Sequence, residues 1–356
     1  MTLTPITTTP DLTISVIIPV YNGGENFRRS LESLAGSTLP AKEVIVVADG
    51  DTDGSWRVAE EQGVRVLRLP TTGGPARARN HGARQARGDI LFFVDADVTV
   101  SADTLNQVVA AFRRDPDLSA LFGSYDAEPA AANFLSQYKN LLHHYVHQTA
   151  SEEASTFWGA CGAIRREVFL TLGGFDERYR WPSIEDIELG YRLKRAGKRI
   201  RLCKMLQVKH LKRWKIGSLL RADFFFRALP WTLLILRDRR LPNDLNLRLS
   251  GRASVVLTYG LFGAVLGAWW WPHFLTVAGV LALGLILLNA PLYRFFWHKR
   301  GLRFVLQAVP WHWLYYFYSG LAFVVGVVYY LACRGHQSSR ASAILQKQAD
   351  SEEQSE

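Results

Sequence analysis

The chain has 356 residues, with 42 Lys and Arg against 32 Asp and Glu, a formal charge of +10 and 48% hydrophobic residues; its mean hydropathy is +0.00. That apolar content suits one large or two ordinary cores and excludes a disordered, collagen-like or low-complexity chain. Three scattered cysteines, Cys161, Cys203 and Cys333, exclude a disulfide scaffold, and the basic excess asks for an anionic partner: nucleic acid, lipid or a phosphorylated substrate.

Residues 1–12 carry neither a basic nor an apolar run and read as a flexible N-terminus without a signal peptide. Residues 13–20 (TISVIIPV) are β-branched and nearly uninterrupted, as a strand buried on both faces requires. Phe27, Leu31 and Leu34 then recur at helical spacing. Further strands fall at 43–48, 64–69 and 90–94, with helical patterns at Ala76–Arg87 and on Leu105, Val108, Val109 and Phe112. This alternation predicts an α/β fold with a mostly parallel sheet, whose ligands sit beyond the carboxyl ends of the strands. Acids gather there: Asp49, Asp51 and Asp53 after the second strand, and Asp95-Ala96-Asp97 after the fourth. An Asp-x-Asp sets two carboxylates on one side of the chain. A hard divalent cation bridging a diphosphate is well served by such a pair; a capped turn is the plain alternative. No GxGxxG follows the first strand and no GxxxxGK[ST] is present, so a diphosphate would be held by a metal and Arg rather than by a backbone cradle.

The charge is localised. Between Arg192 and Arg252, 18 Lys and Arg face three acids, a net +15, which leaves −5 for the remainder. Residues 216–252 read as basic amphipathic helices at a membrane interface, interrupted at Pro230; an ordinary packed helix is the alternative. Residues 253–333 read as a transmembrane region of about three spans, 253–271, 274–293 and 312–333, with a break near Pro310 before the last. Trp269–Trp271, Phe295–Trp297 and Trp311–Phe317 suit headgroup belts. Four Lys and Arg in 294–303, against none in 271–273, place the N-terminal part in the cytoplasm and the polar tail 334–356 outside.

The runs SVIIPVYN, VADGDTDGS and GGPARARNHGARQARGDILFFVDADV, then GACGAIRREVFLTLGGFDE and EDIELGYRLKRAGKRI, resemble in order and spacing the family 2 glycosyltransferases of GT-A fold. The resemblance covers residues 13–215 and looks closest to membrane-attached bacterial members whose catalytic domain precedes a few C-terminal spans. It implies a GT-A, Rossmann-like catalytic domain on the cytoplasmic face of the inner membrane. It also implies a nucleotide-diphospho-sugar donor, Mg²⁺ or Mn²⁺, and an inverting transfer.

By position, the resemblance implies that Pro19 and Tyr21 line the base pocket, Asp49 accepts a hydrogen bond from the base, and Arg79 contacts the nucleotide. Asp95 and Asp97 would bind the ribose and the metal. The family often has two Asp where this chain has Ala48-Asp49. Of Glu185-Asp186, Asp186 would be the general base that deprotonates the acceptor hydroxyl; both acids also suit a helix N-terminus. Gly159, Ala160, Cys161 and Gly162 would wall the acceptor entrance, with Cys161 packing rather than reacting, and Trp158 would stack on a sugar or lipid or sit in the core. Processive polysaccharide synthases of the family carry Gln-x-x-Arg-Trp where this chain has His210-Leu211-Lys212-Arg213-Trp214. Arg213 and Trp214 match; His210 does not, and reads as a metal ligand or an interfacial His. Trp214 is taken with the acceptor side. His143, His144 and His147 read as partly exposed structural residues. The +15 segment, between the motifs and the first span, points to a lipid or lipid-linked acceptor. A processive synthase and an inactive membrane scaffold are the rival readings. Nucleic acid is not expected as a partner, because no binding motif accompanies the basic stretch.

Overall fold

The computed structural model describes residues 12–353 except 240 and 242, and of residues 246 and 334–353 the backbone alone. The flexible N-terminus read over 1–12 therefore lies, but for Leu12, outside the described residues. The chain divides into two compact units. The first runs to Ile216 and also takes in Asp244–Asn246 and Arg294–Phe304; the second comprises Gly217–Asn243, Leu247–Tyr293 and the chain from Val305.

The first unit is built around an eight-stranded sheet. Its elements in chain order are β1 (Ile14–Val20), α1 (Gly24–Ala35), β2 (Glu43–Asp49), α2 (Ser55–Glu61), β3 (Arg65–Leu69), α3 (Pro75–Gln85), β4 (Ile90–Val94) and β5 (Val98–Thr99). There follow α4 (Thr104–Arg114), β6 (Leu118–Tyr125), α5 (Phe134–Thr149), β7 (Cys161–Arg165), α6 (Arg166–Thr171), α7 (Glu185–Arg195) and β8 (Arg199–His210). The sheet order is β3-β2-β1-β4-β7-β6-β8-β5. The first four strands are parallel, β7 runs antiparallel between β4 and β6, and β6 pairs parallel with β8. The expected alternation is thus one half of a mixed sheet. Helices cover both faces, which is why Val16, Ile17 and Ile18 are all fully buried in spite of pointing alternately up and down. Phe27, Leu31 and Leu34 on α1, and Leu105, Val108, Val109 and Phe112 on α4, pack into one of the two cores that flank the sheet.

The second unit is helical: α8 (Ile216–Arg221, its first residue still in unit one), a π-helical stretch (Ala222–Ala228), α9 (Leu229–Asp238), a 3₁₀ turn (Leu245–Leu247, only its last residue in unit two), α10 (Leu249–Gly267), α11 (Phe274–Leu288) and α12 (Ala290–Glu353), of which Arg294–Phe304 belongs to unit one. Pro230 does not interrupt the helix as expected. It sits in the first turn of α9, directly after the π-helical stretch. A proline supplies no N–H and crowds the carbonyl four residues back, and a widened turn accommodates both. Pro310 does not break the chain either, since α12 runs through it. The break lies at Gly301, where φ is 78° and ψ 177°, a backbone conformation that residues with a Cβ rarely adopt.

Two helices, Leu249–Gly267 and Ala290–Cys333, are long and apolar enough to cross a membrane, and Phe274–Leu288 is a shorter apolar helix. They are joined by buried polar contacts. Tyr316 donates to Asn289 Oδ1 at 2.8 Å, and Asn289 Nδ2 donates to Ser254 Oγ at 3.0 Å. Such contacts tie apolar helices together where no hydrophobic force distinguishes a neighbour from lipid.

Candidate active site

The carboxyl ends of β1, β2 and β4 converge on one side of the sheet. The loops there are held by the acids that the sequence singles out. Asp49, at the end of β2, accepts from Thr72 Oγ1 at 3.0 Å, Gly73 N at 3.0 Å and Gly74 N at 2.8 Å. It therefore pins the entry to α3. Asp53 accepts from Gly24 N and from Ser55 N and Oγ, and these bonds hold its carboxyl below the usual range against the opposing effect of burial. Pro19 is half-buried at the end of β1, and Tyr21, just beyond it, is 55% exposed.

At the centre lies Arg79, on α3, with 4% of its surface exposed. Its Nη1 donates to Glu185 Oε1 at 2.8 Å and its Nη2 to Asp95 Oδ1 at 2.6 Å. One guanidinium thus ties the Asp-x-Asp after β4 to the Glu-Asp pair that starts α7. Both ends of the fork hold a carboxylate, with the Glu185 side chain buried and that of Asp95 31% exposed. The Arg79 Nε is buried without a partner. Glu185 is filled as well: its second oxygen accepts from Ser183 N at 2.9 Å.

Asp186 differs. Its Oδ2 accepts from Gly159 N at 2.9 Å and its Oδ1 from Ile187 N at 2.8 Å. Burial, then the adjacent Glu185, raise its pKa to about 7, against the lowering effects of Gly159 N–H and Arg79. Gly159 is required here by close approach, since a Cβ would lie 3.2 Å from the guanidinium carbon of Arg79. Ala160 accepts from Asp95 N at 3.3 Å. Cys161 and Gly162 open β7 and pair with Val94 and Phe93 of β4. The small-residue run is therefore the joint between the two acidic pairs, and burial pushes the Cys161 thiol up, away from reactivity.

Asp97 and His210 face each other across the paired β5 and β8. His210 Nε2 stands 3.6 Å from Asp97 Oδ2. The backbone fixes both: Val98 pairs with His210, and Leu211 N donates to Asp97 O at 2.8 Å. Burial works to raise the Asp97 pKa, but His210 and then Lys212 outweigh it and hold the carboxyl low. A separation too long for a hydrogen bond, between an imidazole nitrogen and an ionised carboxylate, fits two ligands of one divalent cation. No cluster of three His, Cys, Asp or Glu that could hold a metal occurs among the described residues, so donor oxygens or water would complete the shell. Asp95 gives one oxygen, Oδ1, to Arg79, and its side chain is 31% exposed.

Trp214 is buried, not open toward an acceptor. Its backbone N–H donates to Ser136 Oγ at 2.7 Å, Lys212 lies 4.5 Å over its ring, and its indole N–H has no partner. Two of the three histidines of α5 correct the expectation of partial exposure: His144 and His147 are buried and bond the carbonyls of Tyr125 and Gly123, whereas His143 is half-buried as expected. The rings of His143, His147 and Trp158 pack with Tyr125, which the sequence reading passed over. The i, i+4 spacing of His143 and His147 was the available signal that one face of α5 turns inward.

The family model for glycosyl transferase family 2 matches residues 15–173. A glycosyltransferase of Haemophilus influenzae, described as uncharacterized, is 30% identical over 185 residues, which cover 49% of this chain and 60% of that protein. The pre-mycofactocin glycosyltransferase of Mycobacterium tuberculosis is 29% identical over 227 residues, 60% of this chain and 46% of its own. The chain thus spans about half the length of the curated relatives it matches. Among solved structures, a mannosyltransferase from Pyrobaculum calidifontis in complex with GDP-Man and Mn²⁺ is similar with a TM-score of 0.56 and 20% identity, covering 90% of each chain; at that identity it shows the fold. With strand order, acidic pairs and family match in agreement, residues 15–173 belong to glycosyl transferase family 2, and the unit that contains them has the GT-A fold.

Proposed function

We propose that the chain is a membrane-attached glycosyltransferase that moves a sugar from a nucleotide-diphospho-sugar to a hydroxyl or phosphate of a lipid or lipid-linked acceptor, with inversion. The observation that carries this is a buried cation, Arg79, with Asp95 on one side and the Glu185-Asp186 pair on the other. Such a cluster supports a reading in which a donor-binding end and a base share one arrangement.

The geometry supports the following roles. Pro19 and Tyr21 frame the nucleotide base, with Asp49 holding the loop beside them. Asp95 receives the ribose. Asp97 and His210 would hold Mg²⁺ or Mn²⁺, which would neutralise charge on the diphosphate and so make it a better leaving group. Asp186 accepts the acceptor's proton as that oxygen bonds to the anomeric carbon. The carbon–oxygen bond to the diphosphate breaks with its electron pair, and a nucleoside diphosphate departs. A base near neutrality suits this work, being free at cellular pH yet basic enough to take a proton. Glu185 does not share it, because Arg79 holds its charge.

The membrane part of the proposal rests on the two long apolar helices and on the basic run. Lys212, Arg213, Lys215, Arg221 and Arg227 are exposed, as is Phe225 at 57%. Cationic and apolar groups together suit an anionic headgroup layer on the cytoplasmic face of a bacterial inner membrane.

The test incubates purified protein with UDP-, GDP- and TDP-sugars, Mn²⁺ and membrane lipid extract, followed by mass spectrometry of the lipid fraction. One added sugar unit on a lipid is expected. Product confined to the aqueous phase overturns the lipid acceptor, long polymer favours a processive synthase, and no transfer from any donor favours an inactive scaffold.

A further inference from the structure

Tyr125 ends β6 and is buried. Its ring stacks on the imidazole of His210 with centroids 4.3 Å apart and planes 13° from parallel. Behind it stand His143, with centroids 4.6 Å away, and Trp158, edge-on at 4.8 Å. His143 in turn packs on His147 at 4.0 Å. The Tyr125 carbonyl is held by His144 Nδ1 at 2.7 Å, and its strand position is set by pairing with Val208 of β8. The His210 backbone is fixed separately, through Val98 on one side and through Ala130 N, which donates to the His210 carbonyl at 3.1 Å.

The imidazole therefore has its main chain fixed by the sheet and its ring plane fixed by Tyr125. Backbone pairing does not set the rotation of a histidine ring; a flat neighbour in contact does. Groups that orient a ligand in this way control metal affinity although they never touch the metal.

We propose that Tyr125, backed by His143 and Trp158, is a positioning residue that holds Nε2 of His210 toward Asp97. What matters is the aromatic face, not the phenol. Trp158 is also bonded in sequence to Gly159, whose N–H holds Asp186, so Tyr125 braces the cation side and the base side from one point. The inference rests on the reading of Asp97 and His210 as ligands of one divalent cation.

The test measures Mn²⁺ binding by electron paramagnetic resonance of the free ion, with and without inorganic pyrophosphate as a base-independent stand-in for the donor's diphosphate. Tyr125→Leu is expected to weaken Mn²⁺ binding about 10-fold or more, as loss of an orienting partner does. Tyr125→Phe should bind within about twofold of the parent protein, since the ring face survives. His143→Leu, which leaves β6 untouched, should give an intermediate loss and serves if Tyr125→Leu fails to fold by circular dichroism. His210→Ala separates the two claims. Unchanged binding in His210→Ala overturns the ligand assignment on which the inference rests. Weakened binding in His210→Ala with full binding in Tyr125→Leu and His143→Leu overturns the positioning role alone. Equal losses in Tyr125→Phe and Tyr125→Leu would transfer the role to the hydroxyl and overturn the stacking argument.

Discussion

Asp186 and Glu185 are neighbours in sequence with opposite fates. Arg79 neutralises Glu185 at 2.8 Å, while Asp186 keeps two backbone N–H donors and is raised to about 7 by burial and by Glu185. A raised carboxyl is protonated below that pH and cannot accept a proton there, so kcat/KM should climb through about pH 7 and level off above it. Asp186→Asn keeps the shape and one of the two backbone bonds, since its amide nitrogen cannot accept from an N–H, and removes the basic electron pair. It should lower turnover about 10²- to 10⁴-fold and abolish the acid limb of the profile, with binding of the nucleoside diphosphate retained. An unchanged rate, or an acid limb that persists near pH 7, would remove Asp186 from the mechanism. The resemblance names Asp186 as the base, but the sequence carries no physical reason for dividing the two acids. That division is set by Arg79, which is 106 positions away in the chain from Glu185 and meets it only after α3 and α7 have packed.

Strands and helices of the nucleotide side were legible because each carries its own signal. The run at β1 is apolar on both faces, and α1 and α4 repeat apolar residues at helical spacing. The antiparallel β7 and the short β5 carry no comparable signal: Cys161–Arg165 is half small residues, and Val98–Thr99 is two residues long. Their places come from pairing, which a one-dimensional pattern does not contain. The segment Arg294–Phe304 is a similar case. By composition it is a basic connection between two apolar stretches, yet it belongs to the first unit. Arg300 Nε donates to Gln137 Oε1 at 2.8 Å and its Nη2 to the Ala127 carbonyl at 2.9 Å and Glu128 at 3.2 Å. Phe296 is fully buried, in contact with Tyr138 and Phe304. Glu128 is largely exposed and its ion pair is worth little, so the two bonds to Gln137 and Ala127 set the scale. Arg300→Ala should destabilise the unit by about 1–3 kcal/mol and expose 126–133 to limited proteolysis, whereas Arg300→Gln, able to keep one bond, should fall between. Cleavage and melting indistinguishable from the parent protein would show that the aromatic contacts alone dock the segment.

At the scale of the whole molecule, that docking bears on the membrane attachment proposed above. Strands β1–β4 and the 294–304 segment are parts of one compact unit; on that proposal both lie on one side of the bilayer, and the chain between them crosses it an even number of times. α10 and α11 are the segments available. At 1.5 Å per residue they are about 28 Å and 22 Å long, against a hydrocarbon core of about 30 Å. The pair therefore reaches the far interface only with its connection, Ala268–His273, in the headgroup layer. The exposure of Trp269 at 88%, with Trp270 and Trp271 beside it, suits that depth. α12 then departs from the catalytic side after Gly301. The proposed arrangement takes its orientation from the Lys and Arg of the connections and its number of crossings from the docking. It predicts that His273→Cys, in a Cys333→Ser background, is labelled by a membrane-impermeant maleimide in intact cells, and that Lys299→Cys is labelled only after the membrane is opened. If both positions label only after opening, α10 and α11 form a hairpin that enters and leaves on the cytoplasmic face without crossing.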